Sequence, residues 1–576
     1  MSDKTKKTIL ITAIIVSVLI VAGIAAFFIS GITVYDLDSE EEGTELVSKA
    51  EEGMSEESSL KETGYEENEY DESGYDDSGS ESAGNGDIMT AAYEMIEDGS
   101  FGEKTGEALQ LMIEGYDEYK KLASEDPERV KEVTPVETVI ETENTEYTEE
   151  VYTISMGGHQ MKYMMEIVGE PDENGLYPLY ITLHGGGESS EEENNGQWMA
   201  MKDYYRESVE NGIYVATRGM EDVWNLHFLD YSYPMYDRLI EDMILLKNAD
   251  PNRVYLMGFS AGGDGVYAIA PRMADRFAAA NMSSGHPNDV CLLNISNLPF
   301  EIQVGIRDYY SETAMRSIRG AEFEDILNAY RDSYGFGYDH RILVHVPEGH
   351  NYNDSYILTD ELIEMYDLQD EDPEMLKTHV LKDPSLFAKR AVEENWLGQF
   401  LKILKDAGGD PDVQTLSYET PDGFDEKLLS YVTKDLGMEV TTDEDANAVH
   451  FVDKYTRNPV PMAFVWDFET RAPERGDTAF YWLKADYSVN KGSVEAVYEE
   501  DSNTVSIEDF DGVNGDVTIL ANPFLMDFDR PLTVETAEGS FTVDLEADSE
   551  VIENSIIETG DIFLSWADEV EVSFGE

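Results

Sequence analysis

Through the middle of the chain, short apolar runs alternate with stretches whose apolar residues recur at helical spacing. "EVYTISMGGHQMKYMMEIVGE" predicts two strands about a Gly157-Gly158 turn. "YPLYITLHGGG", "GIYVATRG", "RVYLMGFSAGG", "FAAANMSSG", "FEIQVGIRD" and "RILVHVPEGH" each predict one more strand. Helices are expected between most of them, notably over 199–211, 233–248 and 263–275. Continuous apolar strands alternating with helices imply an α/β fold, a mostly parallel sheet with helices on both faces. In such sheets ligands bind beyond the carboxyl ends of the strands, so the residues just after each strand carry the functional interest.

The flanks read differently. Residues 88–147 open with helical patterning, in "IMTAAYEMIEDG" and "TGEALQLMIEGYDEYKKLA", and form a helical lead-in to the α/β region at 148–370. Residues 371–455 are charged, with "AVEENWLGQFLKILKDAG" as an amphipathic helix, and read as a helical insertion or linker. From 456 to 576 short alternating strands with Gly and Asn turns predict a β-sandwich domain. At the other end, residues 8–35 carry no charge, and about 20 such residues span a bilayer as a helix. Lys4, Lys6 and Lys7 in the 1–7 tail precede this stretch and acidic residues follow it. That asymmetry orients the remainder outside the cytoplasm, as a single-pass anchor. A cleaved signal peptide, giving a secreted chain, is the alternative, although its apolar core is usually only about 7–15 residues.

Composition sharpens this picture. Asp and Glu number 122 against 39 Lys and Arg, a formal net charge of −83. Such a field repels phosphate backbones and excludes nucleic acid as a partner. Residues 36–87 concentrate the acidity and repeat a pentad headed by Tyr65, Tyr70 and Tyr75, which predicts a solvated, disordered linker. The one cysteine, Cys291, makes no internal disulfide, and no Cys/His cluster has metal-site spacing.

The positions after the strands read His184-Gly185-Gly186-Gly187, Ser260, Asp308 and His350. A serine hydroxyl becomes a nucleophile when an imidazole accepts its proton, and the imidazole needs a carboxylate to fix its tautomer. Glycines after a strand leave N–H groups uncovered for a developing oxyanion. This set resembles the α/β-hydrolase superfamily, with its Gly-x-Ser-x-Gly elbow, HGGG motif and Ser…Asp…His order. "WNLHF", "RVYLMGFSAGGDGVYAIAPRMADRFAAA" and "GHPN" resemble exported esterases related to polyhydroxybutyrate-depolymerase-like and feruloyl-esterase-like hydrolases. The resemblance covers 148–370. It implies Ser260 as nucleophile, Asp308 as acid and His350 as base, with the N–H groups of Gly185 or Gly186 and of Ala261 as oxyanion hole. It implies no metal and no cofactor.

Asp339 and Asp354 rival Asp308, and His345 rives with His350 only from within a strand, where its side chain is expected to pack. Trp198, Arg218, Trp224, His227 and His286 lie in loops at the same sheet end. They are candidates for a substrate pocket, with core or structural roles as the alternative. The insert "ESSEEENN" (188–195) reads as a lid or a solvated loop. The C-terminal strands resemble a β-domain attached to esterases of the same group, with either polymer or carbohydrate contact or structural docking as its role. Three functions are open: a membrane-anchored carboxylic ester hydrolase, a serine peptidase of the prolyl-oligopeptidase kind, and a non-catalytic binding protein on a hydrolase scaffold.

Overall fold

The computed structural model describes residues 101–308, 316–352, 378–393, 395–409, 420–443, 446–475, 479–510 and 512–574. The expected anchor (8–35), the acidic linker (36–87) and the start of the lead-in lie outside the described residues. Among the described residues no helix is long and apolar enough to cross a membrane.

A mixed sheet of eleven strands forms the centre. Its members are β1 (Val136–Glu141), β2 (Glu146–Met156), β3 (His159–Val168), β4 (Tyr177–Leu183), β5 (Gly212–Thr217), β6 (Ala249–Phe259), β7 (Ala279–Ser283), β8 (Phe300–Gly305), β9 (His340–His345), β10 (Thr378–Leu381) and β11 (Val440–Asp443). They lie in the order β1-β2-β3-β5-β4-β6-β7-β8-β9-β10-β11. Neighbours from β5 to β9 are all parallel, and β1 to β3 form an antiparallel meander joined to β5. Strands covered on both faces need unbroken apolar sequence. Accordingly β5, β7 and β8 are buried at every position. From β4 the chain passes to β5 on one side and then to β6 on the other, so a crevice opens at the carboxyl ends of β4 and β6.

The helices are α1 (Glu103–Glu125), α2 (Pro127–Glu132), α3 (Glu191–Tyr204), α4 (Ser232–Lys247), α5 (Ala261–Ile269), α6 (Arg316–Tyr334), α7 (Pro384–Glu393), α8 (Trp396–Asp406), α9 (Phe424–Ser430), α10 (Ala448–Val452) and α11 (Ser549–Thr559). The helix expected over 199–211 begins eight residues earlier, because Ser190 accepts the Glu193 N–H as its N-cap. Glu191, Glu192 and Glu193 fill the first turn, where the helix dipole favours negative charge. The acidic insert at 188–195 is thus largely the start of α3 rather than a loop. The 371–455 stretch holds helices α7 to α10 and two strands besides. Its segments β10 and β11 add antiparallel to the β9 edge, and at four residues each they are too short for periodicity to reveal.

The C-terminal strands form two sheets. Strands β12 (Ala463–Asp467), β15 (Ser493–Glu499), β16 (Thr504–Phe510), β18 (Leu532–Thr536) and β19 (Gly539–Val543) make one. Strands β13 (Ala479–Phe480), β14 (Leu483–Ala485), β17 (Val517–Ala521) and β20 (Asp568–Val572) make the other. Aromatic rings meet between them, with Phe464 and Trp482 centroids 4.9 Å apart and Trp466 and Phe480 5.6 Å apart. One hydrophobic cluster runs from Ala108 to Phe574, so this sandwich shares its core with the lead-in and the α/β region. The first turn of α1 is capped from far along the chain. Asp529 accepts the N–H groups of Lys104 (3.0 Å) and Thr105 (3.1 Å), two of the four that a helix start leaves unpaired.

Candidate active site

Strand β6 ends at Phe259, and α5 begins two residues later at Ala261. Ser260 therefore makes the whole turn, at φ 58° and ψ −119°, a conformation that non-glycine residues adopt at a cost of about 1–3 kcal/mol. Close packing holds it there. A Cβ on Gly258 would sit 2.3 Å from the Gly262 carbonyl oxygen, and one on Gly262 would sit 2.0 Å from the Leu183 carbonyl oxygen. Glycine at both positions lets α5 press against the ends of β4 and β6, and the Ser260 N–H donates to the Ser283 carbonyl (2.9 Å).

The Ser260 Oγ lies 3.0 Å from His350 Nε2, and His350 Nδ1 lies 2.9 Å from Asp308 Oδ2. With a carboxylate as partner, Nδ1 carries the proton, which leaves Nε2 to accept from the serine hydroxyl. Asp308 is fully buried. Burial pushes its carboxyl up, but the charges of His350 and Arg316 and the hydrogen bond from His350 outweigh this and hold it below the usual aspartate value. Arg316 Nη1 stands 3.5 Å from Asp308 Oδ1. The loops after β8 and β9 are tied together, with Arg307 N–H donating to the Glu348 carbonyl (3.1 Å) and Arg307 Nε to the Pro347 carbonyl (2.8 Å). Ser284, at φ 51° just past β7, donates from its hydroxyl to the His350 carbonyl (2.8 Å).

The rivals stand elsewhere. Asp339 is exposed beside Arg331. His345 is buried in β9, 2.7 Å from Gln303 Oε1 and stacked on Tyr352. Asp354 lies outside the described residues, as do 309–315 and 353–377, which follow Asp308 and Tyr352 directly.

The glycine run after β4 approaches Ser260. A Cβ on Gly185 would lie 3.3 Å from Ser260 Cβ. Among the described residues the N–H groups of Gly185, Gly186 and Ala261 have no hydrogen-bond acceptor. Asn194 holds this run in place. Its side chain is fully buried, and it accepts the Gly187 N–H (3.0 Å) while donating to the Gly187 carbonyl (2.9 Å) and to Asp222 (2.9 Å). Asp222 pairs in turn with Arg218.

Of the expected pocket residues, several belong to this support instead. Arg218 is buried, donating to Asn195 Oδ1 (2.9 Å) and the Gly219 carbonyl (2.8 Å) as well as pairing with Asp222. Trp198 is a core residue, its indole N–H donating to the Ala216 carbonyl (2.9 Å). His227 is buried and donates from Nε2 to the His184 carbonyl (2.9 Å), at the root of the glycine run. Burial pushes its imidazole down to about 4, so it is neutral there. His286 sits in the loop after β7, bonded to Asn288, and its N–H donates to Asp264 Oδ1 (2.6 Å). Trp224 alone has the exposure of a pocket wall, at 54%, packed edge-on to Phe228 and backing Gly187. Asn194, Ser284, Arg316 and Asp264 escape sequence reasoning; only Ser284, directly after a strand, carried a positional signal. No group of side chains suited to a metal ion occurs among the described residues.

No family model matches the chain, and no curated protein matches it. Among solved structures it is similar to esterases and related hydrolases. A thermostable esterase shares 17% identity over 36% of this chain and 61% of that one, with a TM-score of 0.27. Est1E from Butyrivibrio proteoclasticus shares 14% over 38% of this chain and 98% of that one, TM-score 0.25. A poly(3-hydroxybutyrate) depolymerase from Bordetella parapertussis shares 15% over 44% and 96%, TM-score 0.30. The chain thus spans less than two thirds of the thermostable esterase's length.

Proposed function

We propose that the chain is a serine hydrolase of the α/β-hydrolase kind, cleaving carboxylic esters through an acyl-enzyme. The observation that carries this reading is the line Ser260 Oγ–His350 Nε2 (3.0 Å) and His350 Nδ1–Asp308 Oδ2 (2.9 Å) at the crevice of a parallel sheet. Ser260 Oγ attacks the ester carbonyl while His350 Nε2 takes its proton. The tetrahedral oxyanion is met by the N–H groups of Ala261 and of Gly185 or Gly186. His350 then gives the proton to the departing alcohol, and the acyl group stays on Ser260. Water, deprotonated by His350, releases the acid by the same steps. Asp308 remains ionised and stabilises the imidazolium in both halves. Residues 8–35 hold the chain in a membrane, with the hydrolase outside the cytoplasm, a reading supported by their length and by the preceding lysines.

The test is reaction of the full-length chain with a fluorophosphonate, beside Ser260→Ala and His350→Ala, while following p-nitrophenyl acetate, p-nitrophenyl butyrate and a peptide p-nitroanilide. Labelling and ester turnover disappear in Ser260→Ala, a loss on the order of 10⁶ in kcat. A folded native chain that takes no label refutes a nucleophilic Ser260 and favours a binding protein. Preferential cleavage of the anilide replaces the ester by a peptide bond at the same residues. Protease protection of intact cells locates the hydrolase relative to the membrane.

A further inference from the structure

A cavity of about 1220 Å³ that Ser260 does not line lies between the α/β region, the lead-in and the C-terminal sandwich. It exceeds the roughly 300–1,000 Å³ usual for small-molecule sites, so it has room for an extended ligand. Two aromatic platforms stand on its walls. On one, His159 and Tyr231 stack with centroids 3.6 Å apart and planes 13° from parallel, and the Tyr231 hydroxyl is bonded to Glu221. On the other, Tyr487 is 43% exposed, although its hydroxyl is tied to the Ala472 carbonyl (3.1 Å) and the Arg471 guanidinium lies 4.7 Å from its ring centre. Both tyrosine hydroxyls are bonded within the protein, which reduces the ordering cost of binding.

The charges point to the ligand's character. Five Lys or Arg and six Asp or Glu side chains line the cavity, near neutrality in a chain of net −83. Every one of these cations is already ion-paired; Arg475, for example, meets Asp237 (2.7 Å) and Asp275 (3.0 Å), and Lys484 meets Glu558 (3.4 Å). A charged ligand would have to break such pairs. A neutral, polyhydroxylated chain need not, because hydroxyls can bond to the free lone pairs of a carboxylate that keeps its guanidinium. The apolar faces of sugar rings suit flat aromatic side chains.

We propose that this cleft binds a neutral polysaccharide chain. The β2–β3 turn that carries His159 lies beyond the carboxyl end of β5, since Tyr163 pairs with Thr217. The His159 wall of the cleft therefore stands at the end of the sheet that bears Ser260. The loop after β5 runs from Trp224, beside Gly187, to Tyr231 in the cleft. On the hydrolase reading, a polymer held there raises the local concentration of ester groups at Ser260. The binding itself does not depend on that reading.

The experiment is affinity electrophoresis of the full-length chain in native gels containing soluble xylan, mixed-linkage β-glucan or galactomannan, with polygalacturonate as the anionic counterpart. At least one neutral polymer is expected to retard the native chain and Ser260→Ala equally, and polygalacturonate to retard neither. Tyr231→Ala with Tyr487→Ala weakens the retardation about tenfold, in line with lost aromatic contacts. Tyr487→Trp retains it, and p-nitrophenyl acetate turnover stays at the native level in both. Retardation by no neutral polymer overturns the proposal. So does retardation that survives in the folded double variant, or stronger retardation by polygalacturonate.

Discussion

Replacing Asn194 by alanine tests whether the glycine run after β4 is held for catalysis. The side chain is fully buried and makes three hydrogen bonds, two of them to the main chain of Gly187. Asn194→Ala leaves the Gly187 N–H and carbonyl unpaired, each at about 1–3 kcal/mol, so a stability loss of about 2–6 kcal/mol is expected. The catalytic effect follows from backbone freedom. Gly186 and Gly187 sit at φ 107° and 125°, where only glycine rests comfortably, and nothing intrinsic keeps them there once Asn194 is gone. One oxyanion donor is worth about 10²–10³ in kcat, and a donor displaced by about 1 Å forfeits a large part of that. Stopped-flow hydrolysis of p-nitrophenyl butyrate, below the melting temperature of the variant, should therefore give kcat down by about 10² with KM little changed. Asn194→Asp keeps the acceptor for the Gly187 N–H, but loses the donor and faces Asp222, so an intermediate kcat is expected. A folded Asn194→Ala with native kcat refutes the reasoning, even if its melting temperature falls.

Asp308→Asn is expected to lower kcat by about 10⁴, because the imidazole loses the carboxylate that fixes its tautomer; a steady-state rate within tenfold of native contradicts that role. Asp264, near Arg316, His350, the His286 N–H and Asn288, has its carboxyl pushed up by burial to about 6. Its folded form holds the proton more tightly than the unfolded one, so its favourable contribution is complete below about pH 4 and lost as pH rises through about 6. Relative to native, Asp264→Asn should gain up to about 3 kcal/mol in urea unfolding between pH 4 and pH 8, and parallel pH curves would count against this. Arg457 donates to Asn252 (3.0 Å), the Asp275 carbonyl (3.0 Å) and Asp561 (2.6 Å), all out of water. Arg457→Ala leaves the buried Asp561 charge facing Arg276 Nη1 at 3.9 Å and should cost about 3–5 kcal/mol, read by urea denaturation; a change below 1 kcal/mol would show the pair to be dispensable.

The convergence of Ser260, Asp308 and His350 was legible because topology does most of the placing. In a parallel sheet every strand delivers its next residue to one edge, so Ser260, Asp308 and His350 converge once the strands are recognised. Side-chain direction is not delivered in the same way. Trp198 and Arg218 occupy the expected end of the sheet, yet one turns into the core and the other braces Asp222. Asn194 lay inside an acidic run that looks like solvated loop, and its importance comes from reaching seven residues back to Gly187. The two strands within 371–455 were not legible for another reason. Strands of four residues leave too little periodicity to detect, and the pairing of β10 with β9 and of β11 with β10 is a tertiary fact.

Docking and polymer contact are compatible roles for the C-terminal sandwich. Asp529 caps α1, Tyr481 donates to the Ala274 carbonyl (3.2 Å), and Arg475 bridges to Asp237 on α4 and to Asp275. Contacts of this kind fix the sandwich against the α/β region at several separated points. A ligand cleft between two bodies needs that fixity, since platforms on opposite walls act together only when their spacing is set. The buried charges thus serve both ends: they hold the sandwich in place, and, being already paired, they leave the cleft they border without a net field of its own.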